Sequence, residues 1–392
     1  MDRPDTADAA DPLAALRSIA RDPRSYVQRW REEHPDRKVL GVLPMNFPRE
    51  LAHAAGVLPV IVPDDQQPVT EGRAFLPEFY CGFTRNLADQ AATGRFDLYD
   101  GLFVADHCIQ LLGATDIVRE LEPRAPVFLG QLISSLSDRG AGAKIAEMVA
   151  TLRAEVEAFA GTEVTDAALA ASIRAFNRDR SLIRRLFDAR AAGDCAFGPV
   201  ELQDIVASAQ VMDPDEHHAL LSAVVAGRAP RTRDDRIRVH LSGHLCHAPR
   251  RELLEVIEEA GAVVVDDDLW TGRRYLQTDL DESLPPMTAV AEWYAGRNVA
   301  LPCPTRVQHD VDWDQWLLAA AERSGAEAVV HLMPKFCEPH MLYYPELRRA
   351  LEAAGIPQLL IETEHEGIPL ESFRTRLEAL IERSHRNRPA YA

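Results

Sequence analysis

Short apolar runs alternate with helical patterns near the start of the chain. The runs 38–43, 57–62, 102–105 and 127–129 predict buried strands, and the stretches 48–55 and 111–121 between them have helical spacing. Strands and helices that alternate in this way predict a parallel sheet covered by helices on both faces. Residues 11–33 precede this region and predict two short helices with a break at Asp22-Pro23.

From about Ser137 to Gly227 the pattern changes to that of a helical segment. Ala, Arg, Glu and Leu dominate this part of the sequence. Thr165-Asp166 is a typical helix start, and the amphipathic pattern that follows extends to Arg190. The pattern around His217-His218 predicts helical residues that face solvent.

At Ile237 the alternating pattern returns and repeats the order of the first region. Residues 39–62 and 239–265 both run strand, loop, Pro-Arg, helix, glycine, strand. Cys81 begins Cys-Gly-Phe-Thr-Arg, and Cys303 begins the similar Cys-Pro-Thr-Arg. Cys108 and Cys337 each follow a predicted strand. The two regions therefore read as related units.

These patterns predict an α/β protein of two related parallel-sheet domains, Rossmann-like or flavodoxin-like, joined by a helical segment. The predicted boundaries are 1–35 for N-terminal helices, 36–136 for the first α/β domain, 137–232 for the helical linker domain and 233–392 for the second α/β domain.

Composition and charge exclude several classes of function. The 392 residues are 46% hydrophobic and 27% charged, with a net charge of −18, which is typical of a globular protein and unfavourable for binding nucleic acid. No apolar run is long enough to span a membrane, and the acidic start does not resemble a signal peptide. We therefore expect a cytoplasmic protein without nucleic-acid or membrane partners.

The cysteines are the residues with the most specific chemistry. All six are far apart in sequence, and no CxxC pair occurs. They could be buried thiols, a catalytic cysteine or a metal site assembled from distant loops. Because ligands of parallel sheets bind at the carboxyl ends of strands, Cys81, Cys108 and Cys337 are expected in one cleft. Three thiolates leave one metal position open, as in a site that performs chemistry.

Several motifs, in the same order along the chain, resemble those of the benzoyl-CoA reductase and 2-hydroxyacyl-CoA dehydratase family. They are Tyr80-Cys81-Gly82-Phe83-Thr84-Arg85, Phe96-Asp97 with Asp100-Gly101-Leu102-Phe103 and Cys108, Phe336-Cys337-Glu338-Pro339, Arg49-Glu50 with Ala54 to Pro59, Asp266-Asp267-Asp268-Leu269 with Gly272, Arg274 and Tyr275, and Tyr344-Pro345 with Leu347 and Gly355 to Glu362. These matches extend from about residue 39 to the C-terminus.

The resemblance implies a subunit that carries a 4Fe-4S cluster on Cys81, Cys108 and Cys337. It implies a homologous cluster-bearing subunit as partner, and an ATP-hydrolysing iron–sulfur activator that injects an electron and draws indirectly on ferredoxin. The implied substrate is an acyl- or aroyl-CoA thioester whose carbonyl becomes a ketyl radical. The reductases add two electrons to the aromatic ring of benzoyl-CoA, as in anaerobic aromatic degradation, whereas the dehydratases are lyases that form an enoyl-CoA.

Within the family, two features favour the reductase. Ser242-Gly243 with Cys246 and Pro249 resembles a run in reductase subunits, and the low lysine content is typical of a GC-rich genome. A dehydratase subunit is the alternative, as is a double-cubane protein, reductase or electron carrier, with a second cluster that uses Cys246 and Cys303. A non-catalytic cluster scaffold and a zinc or thiol protein are also open.

Histidines and arginines near the cysteines complete the candidate site. His107 and His340 are candidate proton donors, although each could instead support the cluster or the loop backbone. Four arginines in predicted cleft loops are candidates to bind the phosphates of coenzyme A: Arg85, Arg306, Arg273 and Arg274. No GxxxxGK[ST] motif occurs, so ATP hydrolysis is expected on a separate protein.

Overall fold

The structure is a computed structural model that describes residues 11–43, 47–122, 125–229 and 235–388. Two short helices come first, as the sequence predicts, and each sheet is then interleaved with helices. The helices are α1 (Pro12–Arg21), α2 (Arg24–Glu33), α3 (Arg49–Ala54), α4 (Gly82–Ala92), α5 (Ile109–Leu121), α6 (Ala141–Ala160), α7 (Asp166–Ala192), α8 (Pro199–Ala209), α9 (Pro214–Ala226), α10 (Arg251–Glu259), α11 (Arg273–Leu276), α12 (Pro286–Ala300), α13 (Trp313–Ser324), α14 (Glu338–Ala353) and α15 (Leu370–Asn387).

The strands form two separate parallel sheets of the same topology. They are β1 (Val39–Val42), β2 (Leu58–Ile61), β3 (Gly101–Ala105), β4 (Val127–Gly130), β5 (Ile237–Gly243), β6 (Ala262–Asp267), β7 (Ala328–Pro334) and β8 (Gln358–Thr363). The order is β2-β1-β3-β4 in one sheet and β6-β5-β7-β8 in the other. This is the order of a flavodoxin-like sheet, and it confirms the predicted pair of related α/β domains.

Each sheet is buried on both faces because its strands are almost wholly apolar. Successive residues of β1 point to opposite sides, so Val39 joins one hydrophobic core and Leu40 the other. The first core is shared with α1, α2 and α8, and the second with α6 and α12. In the second sheet, α10 and α15 cover one face while α13 and α14 cover the other.

The segment between the two sheets consists of α6 to α9, as the sequence pattern predicts. The long helix α7 packs against α3 of the first half and β6 and α11 of the second. One prediction in this segment was wrong. His217 is 0% exposed, and its Nδ1 lies 2.8 Å from Asp179 Oδ1. The helix α9 is packed on both α1 and α7, so the face that the pattern assigns to solvent is covered by neighbouring helices.

Within the described residues, none of the helices combines the length and the hydrophobicity needed to cross a bilayer.

Candidate metal centre

Cysteines from four separate loops line one cavity between the two halves of the molecule. Cys81 precedes α4 and Cys108 follows β3, while Cys246 follows β5 and Cys337 follows β7. The cavity and its opening to solvent together comprise about 620 Å³. Its other lining residues are largely apolar or weakly polar: Phe83, Thr84, His107, Gln110, Leu111, Leu245, His247, Thr305, Pro334, Glu338 and Pro339. Parallel strand ends at the β1/β3 and β5/β7 switch points thus bring the sulfur atoms together.

Three of these cysteines occupy equivalent positions at helix N-termini. Cys81, Cys108 and Cys337 are the residues immediately before α4, α5 and α14. A helix N-terminus presents free backbone N–H groups and a partial positive charge, which stabilise anionic sulfur. The three cysteines predicted as ligands therefore share one structural device, which favours a thiolate-bound cation or cluster.

Gln110 connects the loops that carry these cysteines. Its Oε1 accepts a hydrogen bond from the backbone N–H of Cys81 at 2.7 Å, and its Nε2 donates to the carbonyl of Phe336 at 2.8 Å. Phe336 has a φ of 64°, an unusual conformation for a residue other than glycine. Gln110 thus fixes the relative positions of the segments around Cys81, Cys108 and Cys337.

Burial opposes ionisation of the four thiols when no cation is bound. Burial raises the pKa of Cys81, and it raises that of Cys108 to about 11. The pKa values of Cys246 and Cys337 are also raised, first by burial and then by the neighbouring sulfur atoms. A bound metal reverses this balance because a coordinating thiol is deprotonated. Several soft donors in one largely apolar cavity fit an iron–sulfur cluster better than a single ion, because among the described residues no three of these sulfur atoms lie within 4.8 Å of one another.

Cys303 lies deeper than the other cysteines near the cavity and in a different electrostatic environment. It is 3% exposed, with its Sγ 3.1 Å from Thr305 Oγ1 and 3.9 Å from His107 Nε2. Burial alone would raise its pKa, but Arg274 and Arg297 bring the pKa below its usual value. Cys303 is therefore a buried thiol beside the cavity whose two arginine neighbours ease its ionisation. Cys195, by contrast, is buried in the core with the helical segment.

The two candidate histidines are placed differently. His107 lines the cavity, and its Nε2 lies 3.0 Å from Thr305 Oγ1. Burial, with Arg306 as the next cause, holds the pKa of His107 well below its usual value. His340 is 0% exposed and packs on Trp313, away from the cavity lining, and burial lowers its pKa to about 3. Of these two histidines, His107 is the one that faces the space among the cysteines.

The four arginines predicted to bind coenzyme A do not line the cysteine cavity. Arg85 donates from Nε to the carbonyl of Tyr80, and Arg306 donates from Nε to the Tyr294 hydroxyl. Arg273 pairs with Asp266 at 2.7 Å. Arg274 donates to the backbone carbonyls of Asp268 and Pro302. Their role towards coenzyme A stays a prediction.

Gln110, Thr84 and Thr305 are the site residues that sequence reasoning missed. Thr84 Oγ1 lies 3.5 Å from Cys81 Sγ, and Thr305 contacts both Cys303 and His107. The available signal was position: Thr84 and Thr305 belong to the similar Cys-Gly-Phe-Thr-Arg and Cys-Pro-Thr-Arg runs, and Gln110 lies two positions after Cys108.

Fold and site together define a two-domain α/β protein whose parallel strand ends surround a buried, cysteine-lined cavity. The sequence model of the family described as 2-hydroxyglutaryl-CoA dehydratase, D-component, matches residues 44–383. The chain belongs to this family, which the motifs also indicate.

Relatives of this chain include subunits of both reductases and dehydratases. A benzoyl-CoA reductase subunit from Thauera aromatica is 25% identical over 85% of this chain and 87% of its own length. The (R)-phenyllactyl-CoA dehydratase beta subunit from Clostridium sporogenes is 25% identical over 94% of this chain and 97% of its own. The beta subunit of (R)-2-hydroxyglutaryl-CoA dehydratase from Acidaminococcus fermentans is 24% identical over 94% and 98%.

Proposed function

We propose that this protein is the iron–sulfur subunit of an ATP-dependent reductase that acts on the aromatic ring of an aroyl-CoA such as benzoyl-CoA. The observation that carries the proposal is the shared apolar cavity into which Cys81, Cys108, Cys246 and Cys337 all project from separate loops. Membership of a family with benzoyl-CoA reductase and acyl-CoA dehydratase subunits supports the same chemistry.

The residues present fit a 4Fe-4S cluster. Cys81, Cys108 and Cys337 would hold it, each at a helix N-terminus that favours the thiolate. When bound, such a cluster supplies one-electron transfer at low potential. Cys246 at the same cavity and Cys303 beside it are the cysteines that an adjacent second cubane would use.

The chain's own residues prepare the cavity for a water-sensitive radical reaction. Phe83, Leu111 and Leu245 form apolar walls that exclude water from the space beside the cysteines. Of the two histidines, His107 is the candidate proton donor because it faces the cavity, where Thr305 contacts its ring. Gln110 holds the cysteine loops in register without itself carrying charge.

The choice of a reductase depends on the motif around Cys246 together with the relative from Thauera aromatica. Ser242, Gly243, Cys246 and Pro249 form the run that resembles reductase subunits, and its cysteine lies directly at the cavity. A 2-hydroxyacyl-CoA dehydratase subunit is the second candidate. The observation that favours it is the similarity to the Clostridium sporogenes dehydratase subunit. That subunit is as identical to this chain as the Thauera aromatica reductase subunit is, and the match covers more of the chain.

A partner subunit is part of the proposal because exposed apolar side chains lie close to the cysteines in the sequence. Phe79, Ile109 and Phe336 each lie within two residues of a cysteine and are 62%, 67% and 38% exposed. Leu342, on α14 beyond Cys337, is 82% exposed. Apolar side chains grouped around a reactive cavity are typical of a protein interface. Since the relatives are named as subunits, we propose a homologous cluster-bearing subunit as the occupant.

The test is an anaerobic assay of the protein with its co-purifying subunit, a low-potential ATP-hydrolysing activator, ATP and a reductant. Benzoyl-CoA and a 2-hydroxyacyl-CoA are supplied in parallel. A reductase consumes two electrons for each benzoyl-CoA converted to a cyclic diene. A dehydratase instead forms an enoyl-CoA from the hydroxyacyl thioester with no net consumption of reductant.

Each outcome of this assay decides between specific alternatives. Stoichiometric reductant use with benzoyl-CoA supports the reductase, and enoyl-CoA formation rejects it in favour of the dehydratase. No turnover, together with a cluster spectrum unchanged by either thioester, indicates an electron-carrying or scaffold subunit. Zinc in place of iron rejects all cluster-based functions.

A further inference from the structure

A second cavity, lined by buried arginines, lies apart from the cysteine cavity. We call it the arginine chamber and define it by Arg49 on α3, Arg274 on α11 and Arg297 on α12; with its opening to solvent it comprises about 560 Å³. It shares none of its lining residues with the cysteine cavity. Its walls come from both halves of the molecule, since α3 belongs to the first and α11 and α12 to the second.

Each of the three guanidinium groups has nitrogen atoms without a hydrogen-bond partner among the described residues. These atoms are Nη2 of Arg49, Nη2 of Arg274, and both Nε and Nη1 of Arg297. The three side chains are 5%, 2% and 2% exposed. Buried polar groups normally find a partner, because leaving one unpaired costs about 1–3 kcal/mol and more for a charged group.

In Arg49 and Arg274, other nitrogen atoms of the guanidinium group donate hydrogen bonds to neutral groups. Arg49 donates from Nε to the carbonyl of Pro59 at 3.0 Å and from Nη1 to the hydroxyl of Tyr275 at 2.8 Å. Arg274 donates to the carbonyls of Asp268 and Pro302 at 3.0 and 2.9 Å. These bonds hold the side chains in place without neutralising them, which is the arrangement of a preformed anion site.

The positive charge of the chamber has no matching carboxylate. Within the described ranges, Arg49, Arg274 and Arg297 form no ion pair with an acidic side chain within 4.0 Å. Glu50 is the acidic residue of the wall, and it already pairs with Arg180 at 2.8 Å. Burial lowers the pKa of Arg297 to about 10, and Arg306 and Arg274 add to this effect. If ionised, Cys303 would offset at most one of the three charges.

We infer that the arginine chamber binds a small oxyanion with two negative charges through Arg49, Arg274 and Arg297. A guanidinium group can donate two parallel hydrogen bonds to two oxygens of one phosphate or carboxylate group. Both kinds of anion could therefore bind to these arginines. At the edge of the chamber, Thr278 Oγ1 is also without a partner among the described residues and is available to donate to the same anion. The ligand could be a phosphate or a dicarboxylate, and the experiment below distinguishes these two classes of anion.

Titration calorimetry and thermal unfolding of the full-length chain test this inference. Inorganic phosphate and succinate are the two probes, with sodium chloride at matched ionic strength as the reference that accounts for screening. We expect saturable binding of one probe at millimolar or lower concentration, with a rise in melting temperature that sodium chloride does not produce. The probe that binds more tightly identifies the chemical class of the anion, phosphate or dicarboxylate.

Variants of Arg297 connect the binding to the chamber. Arg297→Met is expected to weaken binding at least tenfold, while its melting temperature without anion stays at or above that of wild type because an unpaired buried charge is removed. Arg297→Lys keeps the positive charge but lacks the planar guanidinium that donates two parallel hydrogen bonds. It is expected to bind the anion with an affinity between those of wild type and Arg297→Met. The matched control is Arg348→Met, at a side chain that is 59% exposed on α14, and it is expected to bind as wild type does.

Two results overturn the inference. One is the absence of saturable binding of both probes to the wild-type chain, and the other is binding that is equally tight in Arg297→Met. If Arg297→Met does not fold, Arg297→Lys alone decides, because wild-type affinity in that variant also removes the chamber as the site. Because the two cavities share no lining residue, anion binding and iron content are measured separately, and the failure of one does not imply the failure of the other.

Discussion

Gln110 connects the three cysteine loops through the two ends of its side-chain amide. It is 7% exposed, and its amide satisfies one backbone group beside Cys81 and one beside Cys337. A glutamine carries no chemical signature in sequence, so no pattern singled it out. Its role follows only from the way in which the strand ends of two sheets meet.

Replacement of Gln110 by leucine is expected to weaken retention of iron by about tenfold, within the range found for groups that orient metal ligands. The variant keeps the side-chain volume but leaves the N–H of Cys81 and the carbonyl of Phe336 unpaired. Iron release to a chelator over time is the measurement. Gln90→Leu is the control, because Gln90 lies on α4, the helix that follows Cys81, and bonds to Pro63 and Asn86 instead. Equal release rates in the two variants would contradict the account.

At the scale of elements, the sharp end of β5 places Cys246 at the cavity. Gly243 ends this strand with a φ of 120°, and a Cβ there would lie 2.1 Å from the carbonyl oxygen of Leu332 on β7. Only glycine fits this conformation and this close approach. In the motif around Cys246, Gly243 is therefore required by the backbone conformation, whereas Cys246 is the residue that could bind a metal.

Gly243→Ala is expected to lower the free energy of unfolding by about 3 kcal/mol or more, because backbone strain and a steric clash add. Gly142→Ala is the matched control. Gly142 lies in α6, where an added Cβ would meet no atom within 4 Å, so alanine there is expected to be neutral or to stabilise by up to about 1 kcal/mol. Denaturant unfolding measures both. Similar stability losses in the two variants would refute the steric argument.

Asp266 joins β6 to the helices beside it and makes their association pH-dependent. Burial alone would raise its pKa, but His240, Arg273 and Arg190 bring the pKa below the usual value. A lowered native pKa stabilises the fold at pH values above the unfolded pKa of about 3.9. This stabilisation is lost as the pH falls through the native pKa.

Asp266→Asn is accordingly expected to lower the free energy of unfolding by about 3 kcal/mol at pH 7, as for a broken buried ion pair. The difference from wild type should shrink as the pH falls below about 4, because the wild-type carboxyl then becomes protonated as well. Denaturant unfolding from neutral pH down through this range is the measurement. A difference that stays constant throughout would show that the charge of Asp266 does not matter.

At the scale of the whole molecule, much of the fold was predictable from sequence because it depends on local patterns. The repeated order of strand, helix and glycine indicated two related parallel sheets, and both have the same strand order. Burial between helices was not predictable: His217 looked solvent-facing on α9 alone, yet α1 and α7 cover it. The arginine chamber was hidden for the same reason, since Arg49 and Arg297 are distant in sequence and meet only where the halves join.

The exposed apolar side chains near the cysteines also belong to this scale. Leu342→Glu is expected to weaken association with the homologous partner subunit at least tenfold, because a charge is buried at an apolar interface. Val299→Glu is the control, as Val299 is 62% exposed on α12, a helix that packs against α6 and α7. Sedimentation or calorimetry with the co-purifying subunit measures the affinity. Equal weakening by both variants, or by neither, would reject this surface as the interface.

The most direct test of the central claim is the count of iron and acid-labile sulfide in the anaerobically purified chain, in wild type and in two cysteine variants. We expect about four irons and four sulfides per chain in wild type. Cys195→Ser, at a cysteine packed in the core with the helical segment, should keep that number, whereas Cys337→Ser should lose most of its iron. Zinc or no metal in the wild-type chain, or a full complement of iron in Cys337→Ser, would contradict the proposed cluster site.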